Sequence, residues 1–265
     1  MSDSRPIGVF DSGIGGLTVL KALAHNFPDE SFLYLGDTAR LPYGSKSSDT
    51  IYRYSEQNAR FLLSKNVKAV VIACNSASSH FPLREMQAIP IYNVIEPGAQ
   101  MAIASTVTKK IGVLGTRATV ASGSYAKALK KLDAAVEIFQ QACPLFVPLA
   151  EEGWDEDPIT NLIAYRYIQP LLNSGIDTFI LGCTHYPILR HSISRVTGSH
   201  AALVDSGEAL SQMIKADMKR ELLRRNAHGK QVLRIMTTDG SSHFTNLAQK
   251  ILFPALADEF SVVNV

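Results

Sequence analysis

No apolar run in the 265 residues approaches the roughly 18 needed to span a membrane as a helix. No block of Lys or Arg occurs either, and the formal net charge is only +2. Charge and hydropathy therefore give no reason to expect nucleic acid or a membrane as partner. Cysteine is scarce: Cys74, Cys143 and Cys183 are the whole set, an odd number spread far apart. That argues against a disulfide scaffold and suits a reducing, cytoplasmic compartment. There is no C-x-x-C pair, and His185 and His191 lack zinc-ligand spacing, so no metal site is expected. The opening stretch MSDSRPIGVFDSG lacks the apolar core of a secretory signal.

What is present is a composition that can bury a large core, 46% hydrophobic and 19% charged. Short β-like runs alternate with helical patterns along the chain: IGVF (7–10), SFLYLG (31–36), AVVIA (69–73), IPIYNV (89–94), KIGVLG (110–115), AVEIFQ (135–140), TFILG (178–182), AALVD (201–205) and QVLRIMTT (231–238). Several are continuously apolar, as parallel strands covered on both faces should be. The alternation predicts an α/β fold of βαβ units. IEPGAQ (95–100) reads as a break between domains.

An internal echo predicts two similar lobes. VIACNS and ILGCTH each place a cysteine after an apolar strand, and IGVFDSG and IGVLGTR each end a strand in a small polar turn. Duplicated lobes would put Cys74 and Cys183 in matching positions. Ligands of open parallel sheets bind beyond the carboxyl ends of the strands, so both thiols would face one cleft.

Each candidate has a bland reading as well. A buried cysteine often packs as a small hydrophobe; Cys143, in QQACPLF with no polar neighbours, is assigned to packing. His185, two residues from Cys183, is a proton partner or simply a hydrogen-bonded structural group. The turn FDSGIGGL resembles a dinucleotide loop, but Thr18 stands where the third glycine belongs. Asp11 and Ser12 there are suited to hold an ammonium, unless Asp11 caps the following helix. GDTARLPYGSKS (36–47) is a turn-rich loop carrying Asp37, Tyr43 and Gly44. FVPLAEEGW (146–154) reads as irregular, and its Glu151 and Glu152 as surface acids or site acids.

Two thiols 109 residues apart do not fit a disulfide reductase, and a cysteine protease would leave one idle. Placed on opposite faces of one carbon, they could remove a proton from one side and return one to the other. That inverts a stereocentre without a cofactor. Asn75, Ser76 and Thr184 would stabilise the charge developing on an adjacent carboxylate.

IGVFDSGIGGLTVL, YLGDTARLPYGSKS, VIACNSASS, FVPLAEEG, ILGCTHYPIL, LVDSGEAL and MTTDGSSHF follow one another along nearly the whole chain. Together they resemble the cofactor-independent aspartate/glutamate racemases, and glutamate racemases in particular. The resemblance implies two α/β lobes, 1–97 with 208–265 and 98–207, and a site between them. It implies glutamate as substrate, no cofactor, a homodimer in many members, and a role in supplying D-glutamate for peptidoglycan. Cys74 would act on D-glutamate assisted by Asp11, and Cys183 on L-glutamate assisted by His185. Glu151 matches the family acid, and Asp11, Ser12, Asp37, Tyr43, Gly44, Asn75, Ser76, Thr184 and His185 would hold the amino acid. Ser76 stands where many members carry Thr, and with the first strand starting by Ile7 the activation that some members owe to an N-terminal extension is not expected. Aspartate remains the alternative substrate, one methylene shorter, and an amino-acid-binding module the non-enzymatic alternative.

Overall fold

The continuous apolar runs form two parallel sheets in the computed structural model, which describes residues 2–81, 89–226 and 229–265. The strands are β1 (Ile7–Asp11), β2 (Phe32–Gly36), β3 (Ala69–Ile72), β4 (Ile91–Asn93), β5 (Lys110–Gly115), β6 (Glu137–Ala142), β7 (Thr178–Gly182), β8 (Ala202–Val204), β9 (Leu233–Thr237) and β10 (Glu259–Val262). One sheet has the order β10-β9-β2-β1-β3-β4 and the other β6-β5-β7-β8. Every pairing is parallel. The run β2-β1-β3-β4 repeats as β6-β5-β7-β8, so β3 and β7 hold the same place in each sheet.

The helices are α1 (Leu17–Asn26), α2 (Ser48–Ser64), α3 (Asn75–His80), α4 (Ile95–Ser105), α5 (Arg117–Ser122), α6 (Ser124–Leu132), α7 (Phe146–Glu151), α8 (Pro158–Leu172), α9 (Arg190–Thr197), α10 (Ser206–Lys219) and α11 (Ser242–Leu252). Short polar residues set several starts. Ser47, Thr116, Asp157, Asp205 and Ser241 each accept a backbone N–H from the first turn of the helix they precede.

Helices cover both faces of each sheet, which is why the central strands are apolar throughout. Leu17, Leu20 and Leu23 of α1 pack with Tyr34, Val71, Leu210 and Ile235 on one face of the first sheet. Phe10, Leu35 and Ile72 meet Ile51 and Leu62 of α2 on the other. In the second sheet Phe179 and Leu181 pack with Phe146, Ile168 and Tyr186, while Ile111, Val113 and Ile180 pack with Ala99 and Tyr125. Each fully buried Leu or Ile contributes roughly 1.5–3 kcal/mol, and Leu20→Ala would cost about 2–5 kcal/mol.

Four local readings differ from the sequence expectation. IEPGAQ is helical, the first part of α4, although its Pro-Gly pair reads as a turn signal; Pro97 sits in its first turn, where no N–H is needed. FVPLAEEGW is not irregular through its first six residues: they form α7, again with proline near the start. The strand expected at 135–140 runs from 137 to 142, because Val136 still belongs to a turn with its N–H on the Asp133 carbonyl. β10 was not foreseen. It is a four-residue edge strand with no apolar run, held by pairing to β9.

Candidate active site

The carboxyl ends of β1, β2, β3, β5 and β7 meet between the sheets. Asp11 ends β1, Cys74 caps α3 two residues after β3, Thr116 follows β5, and Cys183 follows β7. Cys74 and Cys183 line one cavity of about 30 Å³ with Ser12, Tyr43, Asn75 and Thr184 among its walls. Gly44, Ser76 and His185 line it too. Asp11, Asp37 and Glu151 stand behind this layer. A volume of that size holds a water or two. A pocket of about 800 Å³ lies elsewhere, between α1, α10 and α11, and carries no thiol; chemistry rather than size marks the site.

Cys74 is buried, with Sγ accepting the Ala77 N–H at 3.5 Å and lying 3.8 Å from Ser12 Oγ. Burial pushes this thiol up, and the charge of Asp11 adds to the shift. Asp11 is fully buried. Its Oδ2 accepts the Gly13 N–H at 3.0 Å, and its Oδ1 accepts the Thr184 hydroxyl at 3.2 Å from the opposite sheet. Burial raises its carboxyl, opposed by His185 and by the N–H groups of Gly13 and Gly16. Asp11 does not cap α1 by its side chain; Gly16 is the cap residue and makes no side-chain bond.

The Cys183 side differs. Its Sγ lies 3.8 Å from His185 Nδ1, and His185 Nε2 donates to Glu151 Oε1 at 3.0 Å. Burial pulls the imidazole down, but Cys183 and Glu151 outweigh it and push it up to about 10. These two neighbours thus favour the protonated imidazole. Glu151, not Glu152, makes this contact.

Tyr43 is buried and bonds the Asp37 carboxylate through its hydroxyl, which also accepts Asn58 Nδ2 at 3.0 Å. Asp37 accepts in addition from Arg40 Nε at 2.7 and 2.9 Å and from Thr238 Oγ1 at 3.0 Å. Its carboxylate is thus occupied by protein donors and set to fix Tyr43.

Close approach explains two glycines. A Cβ on Gly15 would collide with His185 and Thr184, and one on Gly44 would lie 2.7 Å from Thr116 Cβ. Both contacts cross from one sheet's loops to the other's. Thr18 Oγ1 adds a bond to the Thr184 carbonyl at 2.9 Å.

Sequence reasoning missed four polar neighbours. Ser76 Oγ lies 2.9 Å from Thr116 Oγ1 and 3.5 Å from Thr119 Oγ1, and Asn75 Nδ2 donates to Tyr125 at 2.8 Å and Ser206 at 3.3 Å. Asn75 Oδ1 is buried without a partner. The echo between IGVFDSG and IGVLGTR already aligned Thr116 with Ser12 and was the available signal. Cys143 lies apart, fully buried among Phe146 and Tyr186 with Sγ on the Gln141 carbonyl. Among the described residues no helix is long and apolar enough to cross a membrane.

The Asp/Glu/Hydantoin racemase family matches residues 15–214. The chain is similar to the glutamate racemase of Geobacter metallireducens, 45% identical over 91% of this chain and 86% of the relative. It is similar also to that of Sulfurihydrogenibium sp., 47% identical over 93% and 94%. Its fold superposes on the crystal structure of glutamate racemase from Francisella tularensis in complex with D-glutamate. That match has a TM-score of 0.89 at 35% identity and covers 98% of each chain.

Proposed function

The chain belongs to the Asp/Glu/Hydantoin racemase family, and we propose as its function the interconversion of L- and D-glutamate by two thiols without a cofactor. It is an isomerase acting on glutamate; relatives named for that substrate align at 45–47% identity along most of the chain, and aspartate is not favoured. The observation that carries the mechanism is the pairing of Cys74 and Cys183 on one cavity, each at the end of the corresponding strand of its sheet.

In the direction from L-glutamate, the Cys183 sulfur takes the α-proton, and the electron pair left on the α-carbon is shared with the carboxylate. The Cys74 S–H then gives its proton to the opposite face, forming D-glutamate. The reverse direction exchanges the two roles. The environments support this assignment at rest: burial and Asp11 push the Cys74 thiol up and so favour its S–H form, while His185, 3.8 Å from Cys183 and pushed up by its neighbours, is placed as the proton partner of that sulfur. Asn75, Ser76 and Thr184 hold the α-carboxylate, Tyr43 and Gly44 close over the substrate, and Ser12 and Asp11 face the ammonium; Asp37 acts through Tyr43. Glutamate exceeds the closed cavity, so the lobes 1–97 with 208–265 and 98–207 part to admit it. That division is supported by which sheet each strand joins. We place the activity in the cytoplasm, supplying D-glutamate for peptidoglycan, and expect a homodimer, all on the family resemblance.

The test is α-proton exchange in deuterium oxide. Both enantiomers should gain deuterium at the α-carbon with wild-type protein. Binding of glutamate with no exchange would replace this reading by an amino-acid-binding module.

A further inference from the structure

The carbonyl of Glu151 is the last of α7 and has no partner within that helix, as expected of a helix end. His243, in the first turn of α11, supplies one: its Nε2 lies 3.0 Å from the Glu151 carbonyl oxygen. A carbonyl only accepts, so Nε2 carries the proton. α7 packs with the second sheet and α11 with the first, so this bond crosses the two halves of the molecule.

Its two ends matter differently. On one side, Glu151 is the residue that orients His185 against Cys183, and among the described residues its carboxylate bonds to His185 alone. On the other side, the start of α11 is firmly based. Ser241 accepts the Phe244 N–H at 3.0 Å, the Asp239 N–H donates to Thr38 Oγ1 at 2.8 Å, and Thr238 bonds Asp37, which holds Tyr43. Glu151, His243 and Asp239 also share the wall of an outer pocket of about 260 Å³, so water competes for Glu151 on that face.

We propose that His243 is a positioning residue that clasps the end of α7 and thereby fixes Glu151, and through it His185, for the Cys183 half of the reaction. The inference rests on the two-thiol reading above. Because the clasp serves one thiol and not the other, its loss has a directional signature that a general loosening of the fold does not.

The test compares His243→Ala and His243→Gln with wild type. Racemisation is followed from α-deuterated L-glutamate and from α-deuterated D-glutamate, and the His185 Nε2–H resonance is observed by NMR in the resting protein. In H243A kcat should fall roughly tenfold, below the about 10²-fold cost of a misplacement of about 1 Å. The primary isotope effect should rise from L-glutamate, where Cys183 removes the deuteron, and fall from D-glutamate. The His185 resonance should broaden through faster exchange with water. H243Q, whose amide can donate to the same carbonyl, should restore all three. Equal changes in both isotope effects, no rescue by glutamine, or an unaltered His185 resonance in H243A would overturn the proposal. Wild-type protein that does not racemise glutamate would count against the proposed function, and the His185 resonance would still decide the clasp.

Discussion

His185 Nε2 sits 3.0 Å from Glu151 Oε1, while the other ring nitrogen faces Cys183. This pair makes stability depend on pH. A histidine raised on folding from 6.5 to about 10 contributes stability that is complete below the lower value and lost as pH rises through the upper one. Glu151→Gln should destabilise by about 1–2 kcal/mol at neutral pH, discounted for the partial exposure of the carboxylate. The gap from wild type should close as pH passes about 10. Urea denaturation at a series of pH values measures it; a gap that persists at high pH would mean the pair is not its source.

Gly15 is fixed by its neighbours across the cleft. Gly15→Ala would drive Cβ into His185 and Thr184, whereas Gly13→Ala would meet Leu41 at ordinary contact distances, 3.5 Å to Cδ2 and 3.9 Å to Cβ. G15A should lose about 1–3 kcal/mol of stability and on the order of 10²-fold in kcat. G13A should stay near wild type. Thermal melts and racemisation assays on the two variants check this, and equal behaviour would refute it.

Tyr43→Phe removes one hydroxyl from a closed ring formed by Asp37, Tyr43, Asn58 and Arg40. It leaves Asn58 Nδ2 without an acceptor and takes one donor from Asp37, which keeps Arg40 and Thr238, at a cost of about 1–3 kcal/mol. The loop over the cavity should loosen, so KM for glutamate rises more than kcat falls. A fall in kcat alone would place Tyr43 in the chemistry instead.

Cys143 provides the control among the thiols. It is fully buried and does not line the cavity. Cys143→Ala should cost about 1 kcal/mol and leave kcat unchanged, as steady-state kinetics will report.

Much of this was legible in the sequence because parallel strands buried on both faces write continuous apolar runs such as AVVI and TFILG. Elements without that signal were not: β10 depends on pairing with β9, and α7 hides behind Pro148 and a paired acid. The same division holds at the site. Cys74 and Cys183 stand out because they repeat at matching strand ends. Thr116 had a signal in its alignment with Ser12, whereas Thr119, Tyr125 and Ser206 reach the site only through the meeting of two sheets, which local pattern does not encode. Asp37 also bonds Arg40, Tyr43 and Thr238, contacts spread over some 200 positions of sequence that no local motif displays.

The most direct measurement is circular-dichroism polarimetry of purified protein with L-glutamate and no added cofactor, run in parallel on Cys74→Ser and Cys183→Ser. The account predicts that wild type takes the signal to zero, and that each variant slows this by at least the about 10²-fold typical of a lost acid–base group. A constant signal with wild type, or either serine variant racemising at the wild-type rate, would contradict it.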